Sequence, residues 1–112
     1  MSEPRYKSWK CGICGEPVVE GQRMVVLAKL GYVHIDCFYE MLKEKYREGV
    51  PRDIIALSDA NEALAYAIVR LKQARRITGG ETVEVLEETR RRIEDLASKI
   101  DVELSRRLGL TS

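Results

Sequence analysis

Four residues in one short segment, residues 11–38, have side chains that bind transition metals. They form two pairs, Cys11 with Cys14 and His34 with Cys37, and two residues separate the members of each pair. Each pair can present two ligands from one tight turn, and two such pairs complete the tetrahedron that Zn²⁺ adopts in structural sites. Because three thiolates and one imidazole leave no position for water, the pattern predicts one structural zinc ion.

The alternative is that these four side chains are ordinary residues of a hydrophobic core. That interpretation is weaker because the segment holds all three cysteines and the only histidine of the chain. A cytoplasmic protein also keeps its thiols reduced, so paired spacing in that compartment favours a metal site over a disulfide.

The residues around the ligands predict a β-hairpin followed by a helix. Gly12 and Gly15 lie on either side of the second cysteine and tolerate the positive φ that a Cys-x-x-Cys turn requires. Apolar β-branched residues on both sides of a turn at residues 29–31 indicate two short strands. After the histidine, apolar residues recur at helical spacing, with Asp36 expected at the N-cap and Gly49 at the C-terminal end.

A cysteine turn, a hairpin and a helix that carries the last ligands follow one another in the order of a treble-clef finger. The segment resembles the first finger of LIM domains in its Cys-x2-Cys…His-x2-Cys spacing and its ending HIDCF. It is also similar to the zinc finger of poly(ADP-ribose) polymerases, which has a longer gap. Glu40 stands where a LIM domain places its next cysteine, so the resemblance implies no second finger. The whole chain resembles small uncharacterised archaeal proteins with one N-terminal finger, and this resemblance implies no activity.

The second half of the chain, residues 51–112, has the pattern of two long helices. Pro51 suits a first helical position, and Ser58 is expected to cap a helix that continues to about residue 78. Thr-Gly-Gly at residues 78–80 ends that helix, and a second one is expected over residues 82–108. Their predicted apolar faces comprise Leu57, Ala60, Leu64, Ala67, Ile68, Leu71 and Ala74, and then Leu86, Ile93, Leu96, Ala97, Ile100, Leu104 and Leu108.

Both apolar faces approach the repeat of about 3.5 residues that is typical of paired helices, which favours an antiparallel arrangement. The predicted fold class is therefore α+β. An N-terminal treble-clef zinc-finger domain, a β-hairpin plus a helix, is expected over residues 1–50. An antiparallel helical hairpin is expected over residues 51–112.

The charges of the two predicted helices are complementary. The chain has 19 Lys and Arg against 18 Asp and Glu, so it has no overall bias toward nucleic acid. Arg70, Lys72, Arg75 and Arg76 form a basic run without an acid. In an antiparallel hairpin this run lies beside the acidic start of the second helix, residues 81–88. Mutual neutralisation is the favoured interpretation, and contact with nucleic acid is the alternative.

The segment before the first cysteine is the best candidate for a binding surface. Arg5, Lys7 and Lys10 alternate there with Tyr6 and Trp9. Cations interleaved with aromatic rings are typical of contacts to single-stranded nucleic acid. The favoured interpretation is a structural one, in which Trp9 only packs on the finger.

The sequence favours a non-enzymatic protein. The predicted metal uses the only histidine and every cysteine, which leaves no nucleophile–base pair, and no Gly-rich phosphate loop is present. No apolar run is long enough to span a bilayer, and the first residues lack a signal peptide, so we expect a cytoplasmic protein. The predicted partner is a protein or a second copy bound through the helical hairpin, with nucleic acid as the alternative. No membrane and no small-molecule substrate are expected.

Overall fold

The first part of the fold consists of two short antiparallel hairpins. The computed structural model describes residues 7–110. Strand β1 (Ser8–Lys10) pairs with β2 (Pro17–Val19), and β3 (Met24–Leu27) pairs with β4 (Gly31–His34). The second hairpin lies where the sequence predicts one. The first was not predicted, because three-residue strands carry too little alternation to be recognised.

Helix α1 (Ile35–Lys45) follows β4 without a connecting residue. His34 therefore occupies the N-cap, and no side chain caps the helix. The expectation that Asp36 is the N-cap is wrong, because the helix begins one residue before it. Asp36 lies in the first turn, where its charge still favours the helix dipole. Gly49, at φ 125°, turns the chain after the helix.

Helix α2 (Arg52–Arg76) begins seven residues earlier than the sequence predicts. Pro51 is its N-cap, since it has no amide hydrogen to leave unsatisfied and its fixed φ suits the helix start. Ser58 therefore caps nothing. It lies inside the helix, where its hydroxyl donates a 2.6 Å hydrogen bond to the carbonyl of Ile54.

The face of α2 that is fully buried differs from the predicted apolar face. It comprises Ile54, Ser58, Asn61, Ala65 and Val69, and α2 packs on β3. The seven residues of the predicted apolar face, from Leu57 to Ala74, are only half-buried. Ser58 and Asn61 lie on this buried face. Because they are polar, the pattern of apolar residues in the sequence did not reveal the face.

Helix α3 (Glu81–Arg107) packs beside α2. Arg75 pairs with Glu87 near the connecting turn, and Arg107 pairs with Asp53 at the opposite end, so the two helices run in opposite directions. Leu96 is 52% exposed, which corrects its assignment to the buried face.

Buried apolar residues from the strands and from all three helices form one core. Val25, Phe38, Ile54, Leu104 and Leu108 belong to the same cluster. The described protein is thus α+β, and its hairpins and long helices share a hydrophobic interior.

Candidate metal centre

The four predicted ligand residues converge at one point of the fold. Cys11 and Cys14 come from the turn between β1 and β2, His34 ends β4, and Cys37 lies in the first turn of α1. One ligand atom from each residue lies within 4.8 Å of all the others. The Nδ1 atom of His34 is 3.3 Å from Sγ of Cys14 and 3.7 Å from Sγ of Cys37. These separations suit a tetrahedral ion with bonds of roughly 2.0–2.3 Å.

The imidazole of His34 is oriented by a contact behind it. Its Nε2 lies 2.8 Å from the carbonyl oxygen of Pro17. A hydrogen bond donated by Nε2–H to this carbonyl leaves the Nδ1 lone pair facing the thiols. Such a backbone contact is the usual device that fixes the tautomer of a metal-binding histidine.

The pKa values of the Cys11 and Cys37 thiols are shifted in opposite directions. Burial raises the pKa of the Cys11 thiol, but backbone amides that point at sulfur outweigh this and lower it to about 6. Burial and the neighbouring Cys14 and Cys11 thiols raise the pKa of Cys37 to about 11. A divalent cation would remove this conflict, because it stabilises all the thiolates together. The donor set therefore fits a metal ion, and it is compatible with structural zinc.

Two glycines shape the cysteine turn for different reasons. Gly15 has φ 79°, as the sequence predicts for such a turn. Gly12 does not have a positive φ; it is needed for space. A Cβ atom on Gly12 would lie 1.9 Å from the carbonyl oxygen of Leu30. The amide of Gly12 also donates a 3.0 Å hydrogen bond to the carbonyl of Tyr32, which ties the cysteine turn to the second hairpin.

The predicted binding residues of the N-terminal segment are only partly described. Arg5 and Tyr6 lie outside the described residues. Lys7 and Lys10 are exposed, whereas Trp9 is half-buried. The Trp9 ring stacks on Tyr32 with a centroid separation of 4.1 Å and an interplanar angle of 11°. One face of the tryptophan is thus used within the protein, while the lysines beside it reach solvent.

The basic run at residues 70–76 is largely engaged with groups of the same chain. Arg75 donates to Glu87 at 2.7 Å, and Arg76 donates to Glu20 at 3.1 Å. The Glu20 side chain is only 2% exposed, and burial opposes its ionisation, yet the hydrogen bonds from Arg76 and Gln73 lower its pKa.

One important residue was missed by sequence reasoning. The Asn61 side chain accepts a hydrogen bond from the amide of Val26 at 2.8 Å and donates one to its carbonyl at 2.9 Å. These two bonds join α2 to the edge of β3. The only available signal was that Asn61 is the single asparagine of the chain, placed among apolar and small residues.

The geometry defines a small α+β protein with a Cys/His cluster that can hold one metal ion. Residues 7–106 match the family described as uncharacterised proteins conserved in archaea, DUF2175, and the chain belongs to this family. No curated protein and no solved structure matches it significantly. Within residues 7–110, no helix is both long and apolar enough to cross a membrane.

Proposed function

We propose that this protein is a non-enzymatic zinc-binding adaptor that docks a partner protein. In this proposal the cysteine turn, the second hairpin and α1 form a LIM-like treble-clef finger around one structural zinc ion. Helices α2 and α3 form an antiparallel helical hairpin that presents the docking surface. A structural role for the ion is supported by the closed ligand set, since a catalytic zinc keeps a position for water.

The observation that carries the proposal is the distribution of charge and apolar surface on the helices. Most arginines of α2 and α3 are paired with acids of the same chain, among them Arg75 with Glu87 and Arg92 with Glu88. Large apolar side chains remain exposed: Ile55, Tyr66, Ile77, Val85, Leu96 and Val102. Self-neutralised charge with exposed apolar side chains favours protein contact over phosphate contact.

The test is photo-crosslinking from the helix pair in archaeal cells. A benzoylphenylalanine in place of Leu96 should give one discrete protein adduct, and the same group in place of the exposed Arg91 gives the background. The adduct partner is then purified and titrated. Leu96→Glu should weaken its binding to the zinc-loaded protein, and Arg91→Glu should not. Equal loss with both variants, or no adduct from position 96, contradicts docking on this surface.

A nucleic-acid accessory factor is the second candidate, because Lys7, just before β1, and Lys10, at its end, are both exposed near Trp9. It is tested by titrating random single- and double-stranded nucleic acid from 50 to 300 mM salt. Binding that falls steeply with salt and weakens in Lys10→Gln would favour this candidate.

A second copy of the chain is the remaining partner for the helix pair. Sedimentation equilibrium measures the oligomeric state. A dimer formed through Leu96 would become monomeric in Leu96→Glu.

A further inference from the structure

A cleft lies between part of the hairpins and the helix pair. Its volume is about 310 Å³, at the lower end of the range for ligand pockets. Met24, Val26, Ala65, Val69 and Ala97 give it an apolar floor.

The stacked rings of Trp9 and Tyr32 also line this cleft. The cleft therefore combines an apolar floor with an aromatic wall. Such a surface suits one or two apolar side chains of a bound segment.

The carboxylates that line the cleft are already bonded within the protein. Glu20 accepts a hydrogen bond from Arg76 at 3.1 Å, and Glu94 accepts one from Arg90 at 2.8 Å. Asp101 accepts one at 3.1 Å from a backbone amide in the β3–β4 turn. None of these acids needs a ligand to satisfy it.

The two lysines that line the cleft differ from these acids. The side chains of Lys7 and Lys72 make no ion pair or hydrogen bond to any residue within 7–110. Lys72 is half-buried, and Lys7 is exposed immediately before β1. The charged groups of the cleft that lack a hydrogen-bond partner within residues 7–110 are therefore the two ammonium groups, next to an apolar floor.

We infer that this cleft binds a short acidic segment of a partner protein. Apolar side chains of the segment lie on the floor against Trp9, and its carboxylates pair with Lys7 and Lys72. This inference rests on the proposed adaptor function and names the chemistry of the partner.

A nucleic-acid strand fits the cleft less well than an acidic peptide. Strand binding uses a basic groove that follows the phosphate backbone over several nucleotides. Here the neighbouring Arg75 and Arg76 are engaged by acids, so that Lys7 and Lys72 are the only cations of the cleft lining among the described residues. Two lysines can pair with two carboxylates, but they make no continuous phosphate track.

Trp9 provides the readout, because it is the only tryptophan of the chain and lines the cleft. The zinc-loaded 112-residue chain is titrated with the capped hexapeptide DELFED while Trp9 fluorescence is recorded. We expect a saturable change that weakens as salt is raised. Its amide counterpart NQLFQN should give no saturable change in the same range.

Lysine variants locate the binding. Lys72→Gln and Lys7→Gln should each weaken DELFED binding by about threefold to fivefold, as expected for one accessible ion pair. Lys99→Gln is the matched control, since Lys99 is exposed on α3 and does not line the cleft. Its affinity should equal that of the unaltered protein.

Three results would overturn the inference. They are equal binding of DELFED and NQLFQN, equal weakening by all three lysine variants, and tighter binding of oligo(dT) than of DELFED with loss in Lys72→Gln. The adaptor function is judged separately. If a partner crosslinked through position 96 still binds the Lys7→Gln, Lys72→Gln double variant unchanged, the adaptor stands and the cleft assignment fails.

Discussion

The finger and the helix pair are stabilised by different means. The hairpins around the metal centre have strands of three or four residues, and isolated two-stranded hairpins of this size are marginal in water. Helices α2 and α3 have 25 and 27 residues and are linked by ion pairs such as Arg75–Glu87. In the proposed function the finger would therefore be stabilised by its zinc ligands, whereas the helix pair depends on length and distributed contacts.

The contact between the hairpins and the helix pair, here called the joint, contains both polar and apolar interactions. Val25 and Ile54 share one core cluster, and Asn61 bonds the backbone of Val26. Arg23 also pairs with Glu62: its Nε donates to one carboxylate oxygen, and its Nη2 donates to the other at 3.0 Å. These contacts fix the direction in which the finger faces the helices, and hence the shape of the cleft.

Replacing a metal ligand should separate the two regions most strongly. A zinc site of this kind is worth on the order of 10–16 kcal/mol at neutral pH. Cys14→Ser should therefore unfold residues 11–48 while the helicity of α2 and α3 is largely retained. Backbone NMR signals of the strands and circular dichroism at 222 nm measure the two effects. Chelation of the unaltered protein should reproduce them, and a native-like finger in the variant would exclude a structural zinc.

Removing the polar joint should have the next largest effect. Asn61→Ala leaves the amide and the carbonyl of Val26 without partners in a largely buried site, which should cost about 2–4 kcal/mol of unfolding free energy. Urea denaturation measures the cost, and hydrogen exchange at the Val26 amide should accelerate. Gln73→Ala, which removes a partly exposed contact to Glu20, is the control. An equal loss of unfolding free energy in both variants would show that the Asn61 hydrogen bonds stabilise the fold no more than an ordinary polar contact.

A glycine from each region gives a direct comparison. In Gly12→Ala the new methyl group would meet the carbonyl of Leu30, so the finger must distort, at about 1–3 kcal/mol. In the turn between the helices, Gly79→Ala meets no atom within 4 Å and should be close to neutral. Thermal unfolding of the zinc-loaded variants measures both. If Gly12→Ala melts like Gly79→Ala, the close approach of the cysteine turn to the second hairpin is wrong.

The smallest expected effect is a pH dependence confined to the helix pair. Hydrogen bonds from Arg90 and then Arg75 lower the pKa of Glu87 to about 2. Because the folded pKa lies below the unfolded value of about 4.3, the contribution of Glu87 is present above that value. It is lost as the pH falls through about 2.

Melting temperatures between pH 6 and pH 2 test this linkage. The unaltered protein should melt above Glu87→Gln at pH 6, and the difference should shrink as the pH falls. Zinc release at low pH affects both proteins, so the comparison removes it. Glu88→Gln is the control, because the Glu88–Arg92 pair is exposed. A difference that does not change with pH would contradict the assigned role of Glu87.

Local patterns predicted the metal centre and the type of each main element. The spacing of Cys11, Cys14, His34 and Cys37 was sufficient to predict the cluster, because each pair lies within one turn. The second hairpin and three helices also follow from local periodicity. Their ends were less predictable: Asp36 and Ser58 are good capping residues in general, but here the helices begin before them.

The sequence by itself predicted the two Cys/His pairs, the long helices and their acidic starts and basic ends, since each of these depends on residues close together in the chain. Only the tertiary structure decided which face of α2 is buried, because Asn61 meets its partner Val26 through folding, while Ser58 is satisfied by the carbonyl of Ile54 in its own helix. It also decided that Arg76 meets Glu20, 56 residues away, and that Lys72 faces the cleft. A residue type states what a side chain can bind, but only the fold determines which groups reach it.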